Sequence, residues 1–541
     1  MTMTTTTSTT TTTTLPPPIA AAPLPEAADP RLDPVRWDPS PDPAGRRRRA
    51  RLLALVALFG LVAYFSWLLR PSRVGNPVLF TVLVIVELFN AAQAIGFWWT
   101  CLGRRTRRRP RDAVTISNVT VDVFIPTYNE PVDVVEPTVA AAARLTGAQV
   151  RVVVLDDGNR DEMAALARRH GVGYLRRTVH SGAKAGNINH ALGRTDGMFV
   201  LVLDCDHVPA PEFLERTLPE FVDPTVAYVQ TPQYYANGTA PDGAVAGQLP
   251  AAAWHQQALF FGPIANGKDA HRAMFCCGTN VVFRRSALDD AGGFPEASVT
   301  EDFELSIGMH ERGWTSAYVP EVLASGLGPE DAASYVSQQN RWARGCVGAL
   351  GRVLRSRLRL TLKLQYLLSA SYFLTGWTVL VYLSLPVIRI LTGAQPVAGA
   401  AADSFLAAFA PYFALSLAVV ATIGGGRYTF GAYTLAAATF WIHVHASCAA
   451  LAGRKGRFVV TPKQGATGRQ IRPVWPTLAV LGVLLVVAVY GLTKGTDAAT
   501  LNNVAFAMVH ITILGHGIAP ALLPTFTAAE APSAALEQEA A

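Results

Sequence analysis

The amino-acid sequence predicts an α/β domain inserted into an α-helical transmembrane bundle. Apolar runs long enough to cross a bilayer lie on both sides of residues 113–350, where strand-like and helix-like segments alternate. Half of the 541 residues are hydrophobic and only 16% are charged, a composition that indicates a membrane protein. The length predicts more than one domain.

Lysine and arginine cluster beside the apolar runs. The formal net charge is +7, and basic clusters at residues 46–51 and 104–111 flank the first two runs. This is the positive-inside pattern of membrane proteins, so the charge indicates topology and not nucleic-acid binding. We expect a multi-pass protein of the cell membrane with about six spans, whose N-terminus, α/β domain and C-terminus are cytoplasmic.

The N-terminal region divides into two parts. Residues 1–45 are rich in Thr, Pro and Ala and contain few bulky apolar side chains, so we expect a disordered tail. Residues 46–112 predict two transmembrane helices. Glu87, Asn90 and Gln93 form one stripe on the second, which either holds helices together or faces a polar lumen.

Polar loops follow three of the strands predicted for the α/β domain. These loops contain residues 127–130, residues 156–158 and the pair Asp204 and Asp206. Alternating strands and helices predict a mostly parallel sheet, in which the carboxyl ends of strands form a ligand-binding edge. Carboxylates one residue apart offer oxygen ligands to Mg²⁺ or Mn²⁺, although a lone Asp-x-Asp is more often an ordinary acidic turn.

The C-terminal third predicts a membrane region. Residues 351–365 interleave Arg and Lys with Leu, which is typical of an amphipathic helix at the membrane interface. Residues 366–523 predict four spans, an interfacial or re-entrant segment at 428–451 and a cytoplasmic loop at 453–473. Residues 524–541 predict a flexible acidic tail.

Four motifs follow one another along residues 156–342. They are Asp156-Asp157-Gly158, Asp204-Cys205-Asp206, Thr300-Glu301-Asp302 and Gln338-Gln339-Asn340-Arg341-Trp342. In order and spacing they resemble those of processive family 2 glycosyltransferases, and bacterial cellulose synthases most closely. A further segment, residues 458–463, resembles the Phe-x-Val-Thr-x-Lys gating loop of that family. The resemblance implies a GT-A fold, a UDP-sugar donor, Mg²⁺ or Mn²⁺, and inversion at the anomeric carbon.

The resemblance also implies roles for individual residues. A sugar hydroxyl needs a general base when it attacks, and by the resemblance that base is Asp302. Asp157 and Asp206 join it at the catalytic centre, with Asp204 and Asp206 as metal ligands. The implied substrate-binding residues are Thr127, Tyr128, Glu130, Asp156, Lys184, Asp204, Cys277, Glu301, Gln338, Arg341, Trp342, Phe458, Thr461 and Lys463. Whether Asp156 or Asp157 contacts uridine stays open.

The implied function is processive transfer of glucose from UDP-glucose to a growing β-glucan that leaves through the membrane. Gln233 stands where cellulose synthases often have His, and a short Ala- and Glu-rich tail stands where they usually carry a PilZ domain, so sugar and linkage stay open. Alternatives are a β-1,3-glucan or amino-sugar polymer, a non-processive glycolipid glycosyltransferase, and a non-catalytic scaffold. The expected partners are the UDP-sugar, the polysaccharide acceptor and the bilayer, with accessory or homo-oligomeric membrane partners left open.

Overall fold

The structure is a computed structural model that describes residues 43–103, 118–238, 248–399, 402–453 and 469–522. Its strands are β1 (Thr120–Thr127), β2 (Gln149–Asp156), β3 (Gly173–Arg176), β4 (Phe199–Val202), β5 (Val208–Pro209), β6 (Val226–Gln230), β7 (Tyr234–Tyr235), β8 (Val281–Arg284), β9 (Thr315–Tyr318) and β10 (Ala324–Gly326).

The α-helices fall into those of the α/β domain and those of the membrane region. The membrane region begins with α1 (Pro43–Leu68) and α2 (Pro77–Leu102). The α/β domain contains α3 (Val132–Ala142), α4 (Asp161–Arg169), α5 (Ala183–Leu192), α6 (Phe213–Thr217), α7 (Gln248–Leu259), α8 (Ala265–Ala270), α9 (Arg285–Ala291) and α10 (Glu301–Glu311), and α11 (Ala332–Arg355) connects it to the helices that follow. The remainder are α12 (Leu360–Ser371), α13 (Thr375–Thr392), α14 (Ala402–Gly424), α15 (Phe430–Ala438), α16 (Phe440–Leu451), α17 (Ile471–Lys494) and α18 (Ala498–Leu522).

A seven-stranded sheet forms the centre of the α/β domain. Its order is β3-β2-β1-β4-β8-β6-β9, and all of its strands are parallel except β8. Successive residues of β1 pack in different apolar clusters, one on each face of the sheet, because side chains alternate between the faces of a strand. Val123 and Ile125 join one apolar cluster, and Phe124 joins the other. Both faces of the sheet are therefore covered, as continuous apolar runs predict.

The carboxyl ends of β1, β2 and β4 meet at one edge of this sheet. Thr127, the last residue of β1, pairs with Asp156, the last residue of β2. On the other side of β1, Phe124 pairs with Val202 at the end of β4. The predicted convergence of the three polar loops is confirmed, and the sheet is mostly parallel as expected.

Six described helical segments are long and apolar enough to cross a membrane: α1, α2, the joined α12 and α13, α14, α17 and α18. Helices α15 and α16 form a pair bent by 45°, which is either a broken span or a re-entrant loop. Helix α1 packs against α14, and α17 packs against α18. The predicted segment 428–451 thus corresponds to a bent pair of helices.

The polar stripe of α2 bonds to the span formed by α12 and α13. The amide of Asn90 donates to the Tyr382 hydroxyl at 2.8 Å, and that hydroxyl donates to Glu87 at 2.9 Å. The Gln93 amide donates to the Ser371 hydroxyl at 2.8 Å. Polar groups inside a bilayer need such partners, so the stripe joins neighbouring helices.

The prediction of a single amphipathic helix over residues 351–365 is wrong. Helix α11 ends at Arg355, and α12 begins at Leu360. At the break, both the backbone N–H and the hydroxyl of Ser356 donate to the Val353 carbonyl, at 3.2 and 2.6 Å. A side chain that bonds nearby carbonyls in this way competes with the next helical turn. The basic stretch is therefore a junction between two helices.

Candidate active site

The Asp-Asp-Gly loop after β2 is held by two arginines. The Asp156 carboxylate is fully buried and accepts from the backbone N–H of Gly158 at 3.0 Å and of Arg160 at 2.6 Å. The Tyr174 hydroxyl also donates to it, at 3.0 Å. The Arg160 guanidinium donates to the Thr127 hydroxyl at 2.9 Å and also donates to the Asp156 carboxylate. Asp156 thus shapes the turn and ties it to the loop after β1.

Asp157 points the other way and forms a bidentate ion pair with Arg177. The two N–H···O distances are 2.6 and 2.7 Å, and both side chains are more than nine-tenths buried. Arg177 also donates to the carbonyls of Ser181 and Ala183, at 2.7 and 2.8 Å. The loop that precedes α5 and Lys184 is therefore fixed relative to Asp157.

The loop after β1 is organised by Glu130. Its carboxylate accepts from the Thr127 hydroxyl at 2.9 Å and from the Tyr128 backbone N–H at 2.7 Å. These bonds close a short turn and leave the Tyr128 side chain 44% exposed at the edge of the sheet. An exposed aromatic face there suits a planar base.

Asp204, Asp206 and His207 form a candidate metal group. One ligand atom from each lies within 4.8 Å of the others. The Lys184 ammonium contacts Asp204 at 2.5 Å and donates to the Gly278 carbonyl at 2.7 Å. Burial would raise the pKa of Asp204, but Lys184 and His207 outweigh it and lower that pKa. Asp204 therefore stays ionised.

The residues of this group fit a divalent cation. The buried Nε2 atom of His207 has no hydrogen-bond partner among the described residues, although its Nδ1 lies 3.4 Å from Asp206. A buried nitrogen without a partner is costly unless it accepts a proton or a metal. Two carboxylates and an imidazole are ligands that Mn²⁺ and related ions accept.

Glu301 and Asp302 begin α10 beside this group. Burial, followed by the neighbouring charge of Glu301, raises the pKa of Asp302 to about 7. Burial also raises the pKa of Glu301. Lys184 and Arg341 act in the opposite direction on both carboxyls. These interactions bring Lys184, Glu301, Asp302 and Arg341 into one cluster, and they make Asp302 a carboxyl that can take up a proton near neutral pH.

The Gln-x-x-Arg-Trp segment lies on α11, which connects the cleft to the membrane helices. The Asp331 side chain caps this helix by accepting from the Ser334 N–H at 2.7 Å. The Gln338 amide donates to the Tyr235 hydroxyl at 3.3 Å. Trp342 packs on an apolar cluster that includes Phe373 and Ala446. The helix therefore borders the α/β domain on one side and α16 on the other.

Cys277 directly precedes Gly278, whose carbonyl accepts from Lys184. The backbone N–H of Cys277 donates to Gln230 at 2.8 Å, and its carbonyl accepts from Gln233 at 2.6 Å. Burial raises the pKa of its thiol well above the usual value, so the thiol is protonated and unreactive. Phe458, Thr461 and Lys463 lie outside the described residues.

Two family models match this chain. Residues 118–345 match a model described as glycosyltransferase-like family 2, and residues 289–424 match one described as cellulose synthase. Residues 118–345 are therefore similar to family 2 glycosyltransferases, and residues 289–424 are similar to cellulose synthases. The second match runs from α9 through α14, so the likeness to cellulose synthases includes α11 and the spans that follow it.

Similar curated proteins are bacterial cellulose synthases. Cellulose synthase 1 of Komagataeibacter xylinus is 32% identical over 512 residues, which cover 87% of this chain and 32% of that protein. The UDP-forming catalytic subunit of Pseudomonas fluorescens (strain SBW25) is 34% identical over 479 residues, which cover 84% of this chain and 64% of that protein. The chain thus spans about a third of the first relative and about two thirds of the second.

A solved structure supports the GT-A fold predicted for the α/β domain. It is the mannosyltransferase PcManGT from Pyrobaculum calidifontis, in complex with GDP-Man and Mn²⁺. The TM-score is 0.50 at 18% sequence identity, and the match covers 70% of this chain and 99% of that one. At this identity the likeness concerns the fold alone.

Three residues at the cleft were not predicted from the sequence. His207 completes the candidate metal group, Arg177 pairs with Asp157, and Gly278 lies against Asp302. His207 directly follows the Asp-x-Asp motif, and that position was its only signal in the sequence. Neither Arg177 nor Gly278 was itself predicted at the site, and their contacts with Asp157 and Asp302 exist only in the folded chain.

Proposed function

We propose that this protein is a membrane-embedded, processive, inverting glycosyltransferase. It transfers glucose from UDP-glucose to the non-reducing end of a growing β-glucan and moves the polymer across the membrane. A single arrangement carries this proposal: Asp302, with a pKa raised to about 7, shares a cleft with Lys184 and Asp204, and α11 links that cleft to the membrane helices.

Asp302 is the proposed general base. In its ionised form it accepts the proton of the attacking acceptor hydroxyl, and a pKa near the working pH suits a group that must take up and release a proton each cycle. The new bond forms between the acceptor oxygen and the anomeric carbon as the bond from that carbon to UDP breaks. Attack from the face opposite the leaving group inverts the anomeric carbon.

The leaving group is proposed to lie against Lys184 and Arg341. Departing UDP carries negative charge, which fixed cations stabilise in a water-poor cleft. Asp204, Asp206 and His207 would hold Mg²⁺ or Mn²⁺, which when bound supplies further positive charge to the diphosphate. Lys184 is already held toward this position by Asp204 and the Gly278 carbonyl.

The nucleoside is proposed to bind the loops after β1 and β2. Tyr128 offers an exposed ring, and Thr127 and Glu130 fix the turn that presents it. Of the two loop carboxylates, Asp157 retains 9% exposure and Asp156 none, which favours Asp157 as the uridine contact. Asp156 then serves as the support for that loop.

The acceptor and the polymer are proposed to follow α11 toward the membrane. Trp342 offers an apolar face for the terminal sugar, and Cys277 and Gln338 are the other residues proposed to contact the substrate here. In this proposal Phe458, Thr461 and Lys463 cover bound UDP as a lid. The basic clusters of the sequence favour a cytoplasmic location for the N-terminus, the α/β domain and the C-terminus.

The identity of the donor is tested by measuring how much UDP the purified protein, in lipid vesicles, releases from different nucleotide sugars. We expect release from UDP-glucose in the presence of Mg²⁺ or Mn²⁺, and little from UDP-N-acetylglucosamine or UDP-galactose. If the protein prefers an amino-sugar donor, the proposed mechanism stands, but the product is an amino-sugar polymer and not a β-glucan. No release from any nucleotide sugar, by protein that binds UDP, would contradict the proposed activity and favour a scaffold.

A further inference from the structure

The junction between α11 and α12, residues 352–364, presents a basic and apolar surface. Arg352, Arg355, Arg357 and Arg359 are exposed, and Leu354, Leu360 and Leu364 are 61, 70 and 42% exposed. Arg352 pairs with Glu311 at 3.2 Å, whereas the other three arginines have no ion pair among the described residues. We refer to these seven residues as the junction patch.

The junction patch lies level with the end of a membrane span. Side chains of α2 and α12 meet in order along the two helices: Gln93 bonds to Ser371, and Thr100 bonds to Gln365. Since α2 ends at Leu102, shortly after Thr100, the start of α12 lies where α2 leaves the apolar layer. The patch that precedes α12 is therefore at the depth of lipid headgroups.

The patch is also joined to both helices that carry the proposed chemistry. Glu311, at the end of α10, bonds to the Arg352 side chain and to the Arg357 backbone N–H at 3.0 Å. One apolar cluster contains Phe303 beside the proposed base, Leu358 of the junction and Tyr366 of the span. A shift of the junction would therefore be transmitted to the first turn of α10.

We propose that the junction patch binds anionic phospholipid headgroups and that this contact holds α10 and α11 in their active arrangement. Three guanidinium groups that form no ion pair with the described residues lie next to exposed leucines, and they match a surface of negative headgroups over an apolar layer. Near an anionic membrane surface, each basic residue strengthens binding by roughly fivefold. The regulatory half of this inference rests on the proposed function, and the lipid-binding half does not.

The test compares two variants with equal loss of charge. The test variant is Arg355→Gln, Arg357→Gln and Arg359→Gln. The control variant is Arg144→Gln, Arg168→Gln and Arg169→Gln, all exposed on or next to α3 and α4, at the edge of the sheet that is farthest from β9. Since β9 packs on α8, which contacts α2, the control site lies on the side away from the spans.

Lipid binding is measured first. Full-length protein is placed in nanodiscs of equal phosphatidylglycerol and phosphatidylcholine, and the lipids that remain bound are counted by native mass spectrometry. Wild type and control should retain more phosphatidylglycerol than phosphatidylcholine. In the test variant, this excess of bound phosphatidylglycerol should be smaller by at least about fivefold. Equal retention by all three proteins, or no preference in wild type, overturns the inference.

Activity is measured in vesicles of phosphatidylcholine with and without phosphatidylglycerol. We expect the anionic lipid to raise the rate of UDP release by wild type and control severalfold and to leave the test variant unchanged. The three proteins should be equally active in phosphatidylcholine alone. A test variant that still responds to phosphatidylglycerol overturns the coupling. If no protein releases UDP, the proposed function fails, and the nanodisc measurement still decides lipid binding.

Discussion

Gly278 lies directly in front of the Asp302 carboxylate. A Cβ atom at Gly278 would stand 3.1 Å from Asp302 Oδ2, and the glycine has φ of +82°, in the left-handed region. The absence of a side chain keeps one oxygen of the proposed base accessible. Because the Gly278 carbonyl also accepts from Lys184, the same residue positions a cation of the cleft.

Gly278→Ala should lower turnover by about tenfold or more, because the methyl group crowds the base and the left-handed backbone resists a side chain. Gly292→Ala is the matched control. Its φ is +78°, and an added Cβ there meets nothing within 4 Å, so it carries the same backbone strain without the crowding. Steady-state kinetics and thermal unfolding of both variants separate these effects. If Gly278→Ala and Gly292→Ala lose turnover equally, backbone strain alone explains the loss, and crowding of Asp302 is contradicted.

The rate should depend on the ionisation of Asp302. Burial raises the pKa of this carboxyl to about 7, and only the deprotonated form accepts a proton. Well below pH 7, kcat/KM should therefore fall about tenfold for each pH unit, and it should level off above pH 7. A profile that stays flat between pH 5 and pH 8 would be incompatible with this assignment.

Asp302→Asn should abolish turnover while UDP still binds, since the amide retains the shape of the side chain but accepts no proton. Glu304→Gln, in the same first turn of α10, is the control for loss of one negative charge and should retain most activity. Turnover is followed by UDP release and binding by calorimetry. Loss of UDP binding in Asp302→Asn would refute the role as base.

Asp206→Ala should remove the metal dependence of UDP binding. His207→Ala should weaken the metal-dependent binding of UDP by at least about tenfold, because even an outer-shell partner at a metal site is typically worth 10- to 100-fold. Asp161→Ala, at a side chain that is 99% exposed on α4, should leave it unchanged. The measurement is the affinity for UDP with and without Mn²⁺. Unchanged metal dependence in Asp206→Ala would place the cation elsewhere.

Arg177→Gln should destabilise the protein by about 3–5 kcal/mol, because it leaves the buried Asp157 carboxylate without its partner. Arg176→Gln, one residue earlier, is the control. Its guanidinium is 59% exposed and lies 3.7 Å from an exposed carboxylate, so we expect a change below about 1 kcal/mol. Denaturant unfolding gives both values, and the double variant with Asp157→Asn should recover part of the loss.

Much of the cleft follows from short-range patterns in the sequence. Apolar runs that end in polar loops place Thr127, Asp156 and Asp204 at the ends of strands, and a parallel sheet brings those ends together. The break at Ser356 was not predicted, since the alternation of Arg and Leu continues through it. The ion pair of Asp157 with Arg177 depends on two loops meeting in space, which no local pattern shows.

The central claim is that one cleft elongates a β-glucan and passes it into the membrane helices. It is tested most directly by incorporation of radiolabelled glucose from UDP-glucose into ethanol-insoluble polymer. The reaction contains purified protein in vesicles with Mg²⁺ or Mn²⁺, and Asp302→Asn serves as the blank. We predict polymer that an endo-β-1,4-glucanase digests, made by wild type and not by the variant. Release of UDP with only short, lipid-soluble sugar as product would contradict processive synthesis.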